Sequence, residues 1–337
     1  TFTLGRDHFA TEEHIKASGM AWTFLRDSFY ADVFEHFADE DGVLRGAAGD
    51  GRVAPVARAD VARAAQALLL AAHALGCDRA EVERRMLLGA DLDEMTSRRL
   101  DALVEERAAR VPLQHLTGTA PFRGVDLAVG PGVFVPRPET EVVAGLAIGA
   151  ARAVAHPVVV DLCTGSGAIA VALAREVPGA RVHAVELSAH AHAWAQRNVA
   201  DHAPAVSLVL GDALEAFDDL AGEVDVVVSN PPYVPHHMEP VDPEVRDHDP
   251  ALALYGGGRD GLDLPRRILA RAAVLLHPGG TVVLEHAEVQ SGALLDHAAA
   301  DPAWSDARDV PDLTGRPRAL VATRTAAPPP ASPPRVR

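Results

Sequence analysis

The sequence predicts an α/β fold, a parallel sheet of about seven strands covered on both faces by helices and preceded by a small helical domain. Short β-branched runs alternate with helical stretches after Thr117, the pattern of strands joined through crossover helices. Ala- and Leu-rich periodicity fills the segment before it, from about Asp60 to Arg110. The 337 residues leave room for two domains at roughly 100–200 residues each, and a hydrophobic content of 48% supplies a buried core.

In the helical segment, Ala64, Leu68, Ala71 and Leu75 recur at spacings of three and four. Gly76 stops that helix. A second helix fits Arg79–Leu88 and a third Ser97–Arg110, with Thr96 as its N-cap. The strands follow as Val158–Leu162, Val182–Val185, Val206–Leu210, Val224–Ser229, Thr281–Glu285 and Leu320–Thr323. Six of the nine Phe fall in the first 37 residues, which marks them as a different module ending in the Gly-rich stretch 42–51. The last twelve residues hold five prolines and read as a disordered tail.

The formal charge is −16, from 47 acidic against 31 basic side chains. Such a surface repels polyphosphate and argues against general nucleic-acid binding. Two cysteines, Cys77 and Cys163, cannot make a disulfide framework or a cysteine-rich metal site. No apolar run approaches the ~18 residues of a membrane span, and no signal peptide opens the chain. A cytoplasmic protein is expected. The start at Thr1 rather than Met reads as processed or truncated.

The first chemical signal is the run from Val158 through Asp161, Cys163, Thr164, Gly165, Ser166 and Gly167, a buried strand turning into the helix Ala168–Arg175. Glycines let the backbone approach a ligand and take positive φ. Glu186, at the end of the next strand, is placed to accept ribose hydroxyls, and Asp212 closes the third strand near an adenine position. Gly165-x-Gly167-x-x-Ala170 also satisfies the dinucleotide fingerprint, so nicotinamide and S-adenosylmethionine sites both remain open. A tight turn without a ligand satisfies it too.

The second signal decides the chemistry. In Asp225–Tyr233 a buried strand ends in Ser229, then Asn230, Pro231, Pro232 and Tyr233. The prolines fix their own φ and cannot donate backbone hydrogen bonds, and Asn230 before Pro231 is held extended. The Asn230 side-chain oxygen and the Pro231 carbonyl together form an acceptor pair for both hydrogens of a planar –NH2 group, with Tyr233 packed over its plane. This suits methyl transfer to a weakly nucleophilic amide or amino nitrogen, through positioning and electrostatics rather than a strong base or a metal.

Residues from about 60 to 325 resemble the release-factor glutamine methyltransferases (the HemK/PrmC-like family). The matching stretches are Gln114–Gly118, Phe134–Glu141 before the sheet, Asp161–Gly167 with Cys163 where Gly is usual, Ser229–Tyr233, Asp249–Leu252 with Asp249 where Glu is commoner, Gly257–Leu262, Leu284–His286 and Gln290. The resemblance implies a Rossmann-like class I S-adenosylmethionine-dependent methyltransferase sheet in residues 118–325, with 60–117 as a helical substrate-docking domain and 326–337 as the tail. It implies methylation of the glutamine amide in the Gly-Gly-Gln loop of class 1 peptide chain release factors, with S-adenosyl-L-methionine as donor. By that resemblance Asp161, Cys163, Thr164, Gly165, Ser166, Gly167, Glu186, Asp212, Ala213 and Asn230 bind the cofactor. Asn230, Pro231, Pro232 and Tyr233 hold the glutamine. No metal, nucleic acid or membrane is implied. Thr1–His8, Ala21–Arg26 and Gly49–Arg52 instead look like the later part of an NmrA-like NAD(P)-binding protein whose nucleotide-binding half is missing, and residues 1–59 are expected to pack poorly. The rival functions are a nucleic-acid amino-methyltransferase and an NAD(P)-binding oxidoreductase-like module.

Other residues have plainer readings. His190 and His192 have poor ligand spacing on a helix. His236 and His237 follow the tetrad, as loop residues or at the substrate mouth. Gly256–Gly258 resembles a phosphate cradle, but no Lys-Ser/Thr follows, so a turn is expected. Arg137 is either a substrate or cofactor anchor or a structural partner of Glu139 or Glu141.

Overall fold

The computed structural model describes residues 58–326. The expectations for the appended N-terminal segment and for the Pro-rich tail lie outside the described residues. The chain divides into two compact units between Thr117 and Gly118.

In the first unit, α1 (Arg58–Leu75), α2 (Arg79–Leu87), α3 (Glu94–Ala108) and the short α4 (Leu113–Thr117) follow in order. Gly76 ends α1 by taking φ +65°, a left-handed conformation that costs glycine nothing. Asp78 caps α2 by accepting the Glu81 N–H at 2.8 Å. α3 starts three residues earlier than expected. Its cap is Asp93, which accepts the Thr96 N–H at 2.9 Å, and Thr96 lies within the first turn. A carboxylate at the cap meets both the free N–H groups and the positive end of the helix dipole. Leu70, Ala72, Ala74, Val82 and Leu116 are buried.

The second unit opens with a hairpin of β1 (Thr119–Phe122) and β2 (Val125–Ala128), followed by α5 (Pro138–Arg152). Then come β3 (Val158–Leu162), α6 (Ala168–Glu176), β4 (Arg181–Glu186), α7 (Ala189–His202), β5 (Ser207–Leu210) and β6 (Val224–Ser229). Short helices α8 (Pro243–His248) and α9 (Ala251–Leu254) precede α10 (Asp263–Leu275), β7 (Leu276–Glu285), α11 (Ser291–Ala300), β8 (Trp304–Pro311) and β9 (Pro317–Arg324).

The seven-stranded sheet has the order β5-β4-β3-β6-β7-β9-β8. It is mixed rather than wholly parallel. β3 to β7 run parallel, while β9 lies antiparallel to both β7 and β8. β8 and β9 are joined by a short turn in which Asp312 accepts the Thr314 N–H at 2.8 Å. An antiparallel neighbour needs only such a turn, with no crossover helix. β8 was not expected. Its sequence, Ser305-Asp306-Ala307-Arg308-Asp309, is polar, as suits the sheet edge.

Alternate residues of the central strands feed two apolar layers. Val159, Val226 and Val283 pack with Ala144, Ile148 and Leu173 on the α5–α6 side. Val160, Val227 and Leu284 pack with Ile268, Leu269 and Leu294 on the α10–α11 side. The strand order reverses at β3, with β4 on one side and β6 on the other. Crevices for ligands form at the carboxyl ends of strands at such a switch point. Among the described residues no helix is long and apolar enough to cross a membrane.

Candidate active site

A cavity of about 470 Å³ opens at the carboxyl ends of β3, β4 and β6, within the range of small-molecule sites. The glycine loop after β3 forms one wall. Cys163, Gly165 and Gly167 all have positive φ, at +64°, +59° and +83°. For Cys163 this is a conformation that costs a side-chain-bearing residue roughly 1–2 kcal/mol. A Cβ built on Gly165 meets nothing within 4 Å, so the backbone there borders open space. Gly167 would meet Ala195 of α7 at 3.5 Å.

The loop is held by Asn198, a wholly buried side chain on α7. Its amide donates to the carbonyls of Ser166 and Ala128, both at 2.9 Å, and its oxygen accepts the Ala128 N–H at 2.7 Å. One side chain thus joins the glycine loop to β2. Sequence reasoning did not find it, because an Asn amid a polar helix carries no local mark.

Glu186 ends β4. Its two carboxylate oxygens accept the N–H groups of Gly165 and Ser188, each at 2.8 Å. Burial lifts its ionisation above the usual range while those hydrogen bonds oppose the rise. Each oxygen keeps acceptor capacity beyond its one N–H. Cys163, Thr164, Gly165, Ser166, Glu186, Asp212, Ala213 and Asn230 line the cavity. Asp161 and Gly167 do not line it. Asp161 lies wholly buried behind the loop, accepting the Thr164 hydroxyl at 2.5 Å and the Ala170 N–H at 3.2 Å.

The tetrad follows β6 on the other side of the switch point. Pro231, Pro232 and Tyr233 line the cavity with Asn230. The Asn230 amide donates to the Thr140 hydroxyl at 3.2 Å, which leaves its oxygen available. The Tyr233 hydroxyl stands 3.4 Å from Glu285, and burial pushes its ionisation up. Leu254 accepts the N–H groups of Tyr233 and Val234 at 3.1 and 2.7 Å. The Gln290 amide donates to the Tyr233 carbonyl at 2.7 Å and to that of Asp260 at 2.8 Å. Gly256 and Gly261 press on the tetrad from behind. A Cβ on Gly256 would lie 2.5 Å from the Pro232 oxygen, and one on Gly261 would lie 2.1 Å from the Tyr233 oxygen. These glycines serve close backbone packing.

Arg137 lines the cavity, but its partner is Asp249 at 2.7 Å, neither Glu139 nor Glu141. Glu141 accepts the Arg123 N–H instead. The Arg137 guanidinium also sits over the Phe134 ring, 4.9 Å from its centre. The stretch expected as a loop before the sheet is part helix. Pro138 starts α5 at a position where a missing N–H costs nothing, and the first turn carries Thr140 to Asn230. His236 stacks on Tyr255 with ring centres 5.1 Å apart.

Residues 146–244 match the family model of the Methyltransferase small domain, and residues 57–118 match that of the PrmC N-terminal domain. The Release factor glutamine methyltransferase of Streptomyces coelicolor is 54% identical over 258 residues, 76% of this chain and 89% of its own length. That of Bifidobacterium longum is 47% identical over 270 residues, 76% and 91% of the two chains. The chain belongs to the release factor glutamine methyltransferase family. A 4-amino-L-phenylalanine/4-methylamino-L-phenylalanine methyltransferase of Streptomyces pristinaespiralis is also similar, 40% identical over 83% of this chain and 93% of its own.

As a member of the release factor glutamine methyltransferase family, the protein is an S-adenosylmethionine-dependent methyltransferase. The nicotinamide alternative left open by the glycine loop gives way. The cavity fits the methyl donor: open space over Gly165, a buried carboxylate with spare acceptor capacity at Glu186, and room for a nucleoside. Two cavity-lining side chains were given no role in the sequence reading: Arg318, and Glu285, which appears there only within the stretch Leu284–His286. The available signal for Glu285 was an apolar strand, Val282–Leu284, ending in a carboxylate at the same sheet edge as Glu186.

Proposed function

We propose that this protein transfers a methyl group from S-adenosylmethionine to the side-chain amide nitrogen of the glutamine in the Gly-Gly-Gln loop of a class 1 peptide chain release factor. One observation carries the reading. Asn230 turns its amide group to Thr140 through one N–H at 3.2 Å, which leaves its oxygen to act with the carbonyl of the cavity-lining Pro231 as the acceptor pair that a flat –NH2 group requires.

An amide nitrogen is a poor nucleophile because its lone pair is delocalised. Accepting both N–H bonds lets the nitrogen pyramidalise and directs the lone pair across the cavity, with Tyr233 packed over the group. When bound, S-adenosylmethionine would supply an electrophilic methyl on sulfur, its S–CH3 bond breaking as the N–CH3 bond forms, so that it leaves as the neutral thioether and the methylated nitrogen gives up one of its two protons to water. Glu186 would hold its ribose hydroxyls, the loop Cys163–Gly167 its methionine end, and Asp212 with Ala213 its adenine. Asp161 would act from behind by holding Thr164. Positioning and preorganised acceptors then account for the rate. Residues 60–117 would dock the release factor and 118–325 carry the chemistry. A net charge of −16 favours a protein substrate over a nucleic acid, and a release factor places the enzyme in the cytoplasm.

The test is mass spectrometry of a release factor incubated with the enzyme and labelled donor. A mass gain of one methyl on the Gly-Gly-Gln peptide is expected. Asn230→Ala should lower kcat by roughly 10²–10³-fold and leave cofactor affinity nearly unchanged. A release factor that stays unmodified, with label transferred to 4-aminophenylalanine or to DNA or RNA, would overturn the substrate assignment.

A further inference from the structure

Gln290 and the stretch Gly257–Leu262 stand in the sequence without a part in the chemistry, and in the structure they meet behind the tetrad. Gln290 is 3% exposed, at the end of the turn between β7 and α11, and is not among the side chains that line the cavity. Its amide donates to the carbonyls of Tyr233 at 2.7 Å and Asp260 at 2.8 Å, and its oxygen accepts the Ala287 N–H at 3.0 Å. Only one orientation of the carboxamide satisfies these partners. Turned over, its oxygen would face two carbonyl oxygens. The packing around this junction is close, since a Cβ on Gly261 would fall 2.1 Å from the Tyr233 oxygen and 3.0 Å from the Gln290 side-chain nitrogen.

We infer that Gln290 is a positioning residue for methyl transfer: by holding the Tyr233 carbonyl it fixes the level at which the Tyr233 ring packs over the –NH2 group of the substrate. The inference rests on the tetrad gripping such a group. After β6 the chain leaves the sheet at Asn230 and returns to it through α10, which starts at Asp263. Tyr233 lies near the start of this excursion and Asp260 near its end, and one nitrogen of Gln290 holds both. The Tyr233 N–H is bonded too, to the Leu254 carbonyl at 3.1 Å, but Leu254 belongs to the same excursion and moves with it. Gln290 belongs to the segment after β7, the strand that pairs with β6, so it ties the excursion to the sheet. The Tyr233 hydroxyl makes a longer contact with the same strand, 3.4 Å from Glu285. A ring is carried by its own backbone through one Cα–Cβ bond and a few staggered rotamers. Releasing the Tyr233 carbonyl therefore lets the ring shift against the acceptor pair, and a misplacement of about 1 Å is enough to slow such a reaction by up to roughly 10²-fold.

The experiment pairs two readouts on the full chain. Its three tyrosines are replaced by fluorotyrosine, and the Tyr233 line in the ¹⁹F NMR spectrum is assigned by its loss in Tyr233→Phe. Methyl transfer to a release factor gives kcat and KM, and titration gives S-adenosylmethionine affinity. Gln290→Met removes all three hydrogen bonds at similar side-chain length. Gln290→Glu keeps an acceptor for Ala287 and loses both donors, and either variant serves if the other does not fold. Leu276→Ala, 2% exposed at the far end of β7, is the control for lost stability alone. Both Gln290 variants should shift or broaden the Tyr233 line and lower kcat roughly 10–100-fold, with cofactor affinity within about twofold of the wild type. Leu276→Ala should lower Tm and leave the line and kcat in place. An unmoved Tyr233 line or an unchanged kcat in a folded Gln290 variant, or an equal fall of kcat in Leu276→Ala, would overturn the inference. A wild type that leaves every release factor unmethylated sinks the substrate assignment instead, and the Tyr233 line still decides the role of Gln290.

Discussion

The Arg137 guanidinium donates to Asp249 at 2.7 Å, joining the residue that caps α5 to the one that follows α8. The Asp249 side chain is fully buried, whereas that of Arg137 is 32% exposed. Burial raises the ionisation of Asp249 and Arg137 opposes it. Removing the arginine would strand a buried carboxylate, which costs more than the pair itself contributes. Arg137→Ala should therefore lose about 1–3 kcal/mol, the lower part reflecting partial exposure. The double variant with Asp249→Asn should regain most of it in urea unfolding. Equal losses in the single and double variants would mean that the pair is not the cause.

Two glycines that look alike in the sequence should respond oppositely to alanine. Gly256 has ordinary backbone angles, but a Cβ there falls 2.1 Å from the Gly261 oxygen and 2.5 Å from that of Pro232. Gly256→Ala should displace the tetrad and cut methyl transfer by at least roughly tenfold, given the sensitivity of such reactions to small misplacements. Gly149, inside α5, has nothing within 4 Å of the same position. Gly149→Ala should stabilise the protein by about 0.5–1 kcal/mol and leave turnover intact. Thermal unfolding and initial rates on both variants decide the matter.

The elements legible in the sequence are those whose signal is local. β3, β4, β6 and the end of β7 stand out as apolar runs because both faces of a central strand are covered. The tetrad and the glycine loop are contiguous. What escaped was encoded by distant partners. β8 is polar because it lies at the sheet edge, and the hairpin Thr119–Ala128 is too short to alternate visibly. Arg137 has two acids close in sequence and pairs with neither, since an extended backbone at the cap aims it away from α5. Thr140 stands inside the contiguous stretch Phe134–Glu141, but its position beside Asn230 spans 90 residues of chain. Asn198 likewise acts across 70 residues on β2.

Asn198 carries the next expectation. Truncating it to alanine leaves the Ala128 N–H and the carbonyls of Ala128 and Ser166 without their partner in a buried setting. Losses of about 2–4 kcal/mol follow for stranded buried polar groups. The glycine loop should loosen as well, weakening S-adenosylmethionine binding more than it alters kcat at saturating donor. Asn198→Asp keeps the acceptor but not the donors and should not rescue. Calorimetric titration with the donor tests this, and unchanged affinity in a folded Asn198→Ala protein would count against the anchoring role.

Asp161 gives the chain a pH dependence of known sign. Complete burial raises its ionisation from 3.8 to about 7, with the hydrogen bonds from Thr164 and Ala170 opposing the rise. The folded protein therefore holds this proton more tightly than the unfolded chain. Between roughly pH 4 and 7 the folded state binds the extra proton, so the stability linked to Asp161 is complete below the unfolded value and is lost as pH rises through the folded one. Asp161→Asn has no such titration. The Tm difference between Asp161→Asn and the wild type should thus grow in favour of the variant from pH 4 to pH 8, by about 1–3 kcal/mol or roughly 2–10 °C. Groups not coupled to Asp161 titrate in both proteins and cancel; Glu186, whose charge helps to raise Asp161, is the neighbour that also changes. A Tm difference that stays constant over this range would show that the buried carboxylate ionises as an ordinary one.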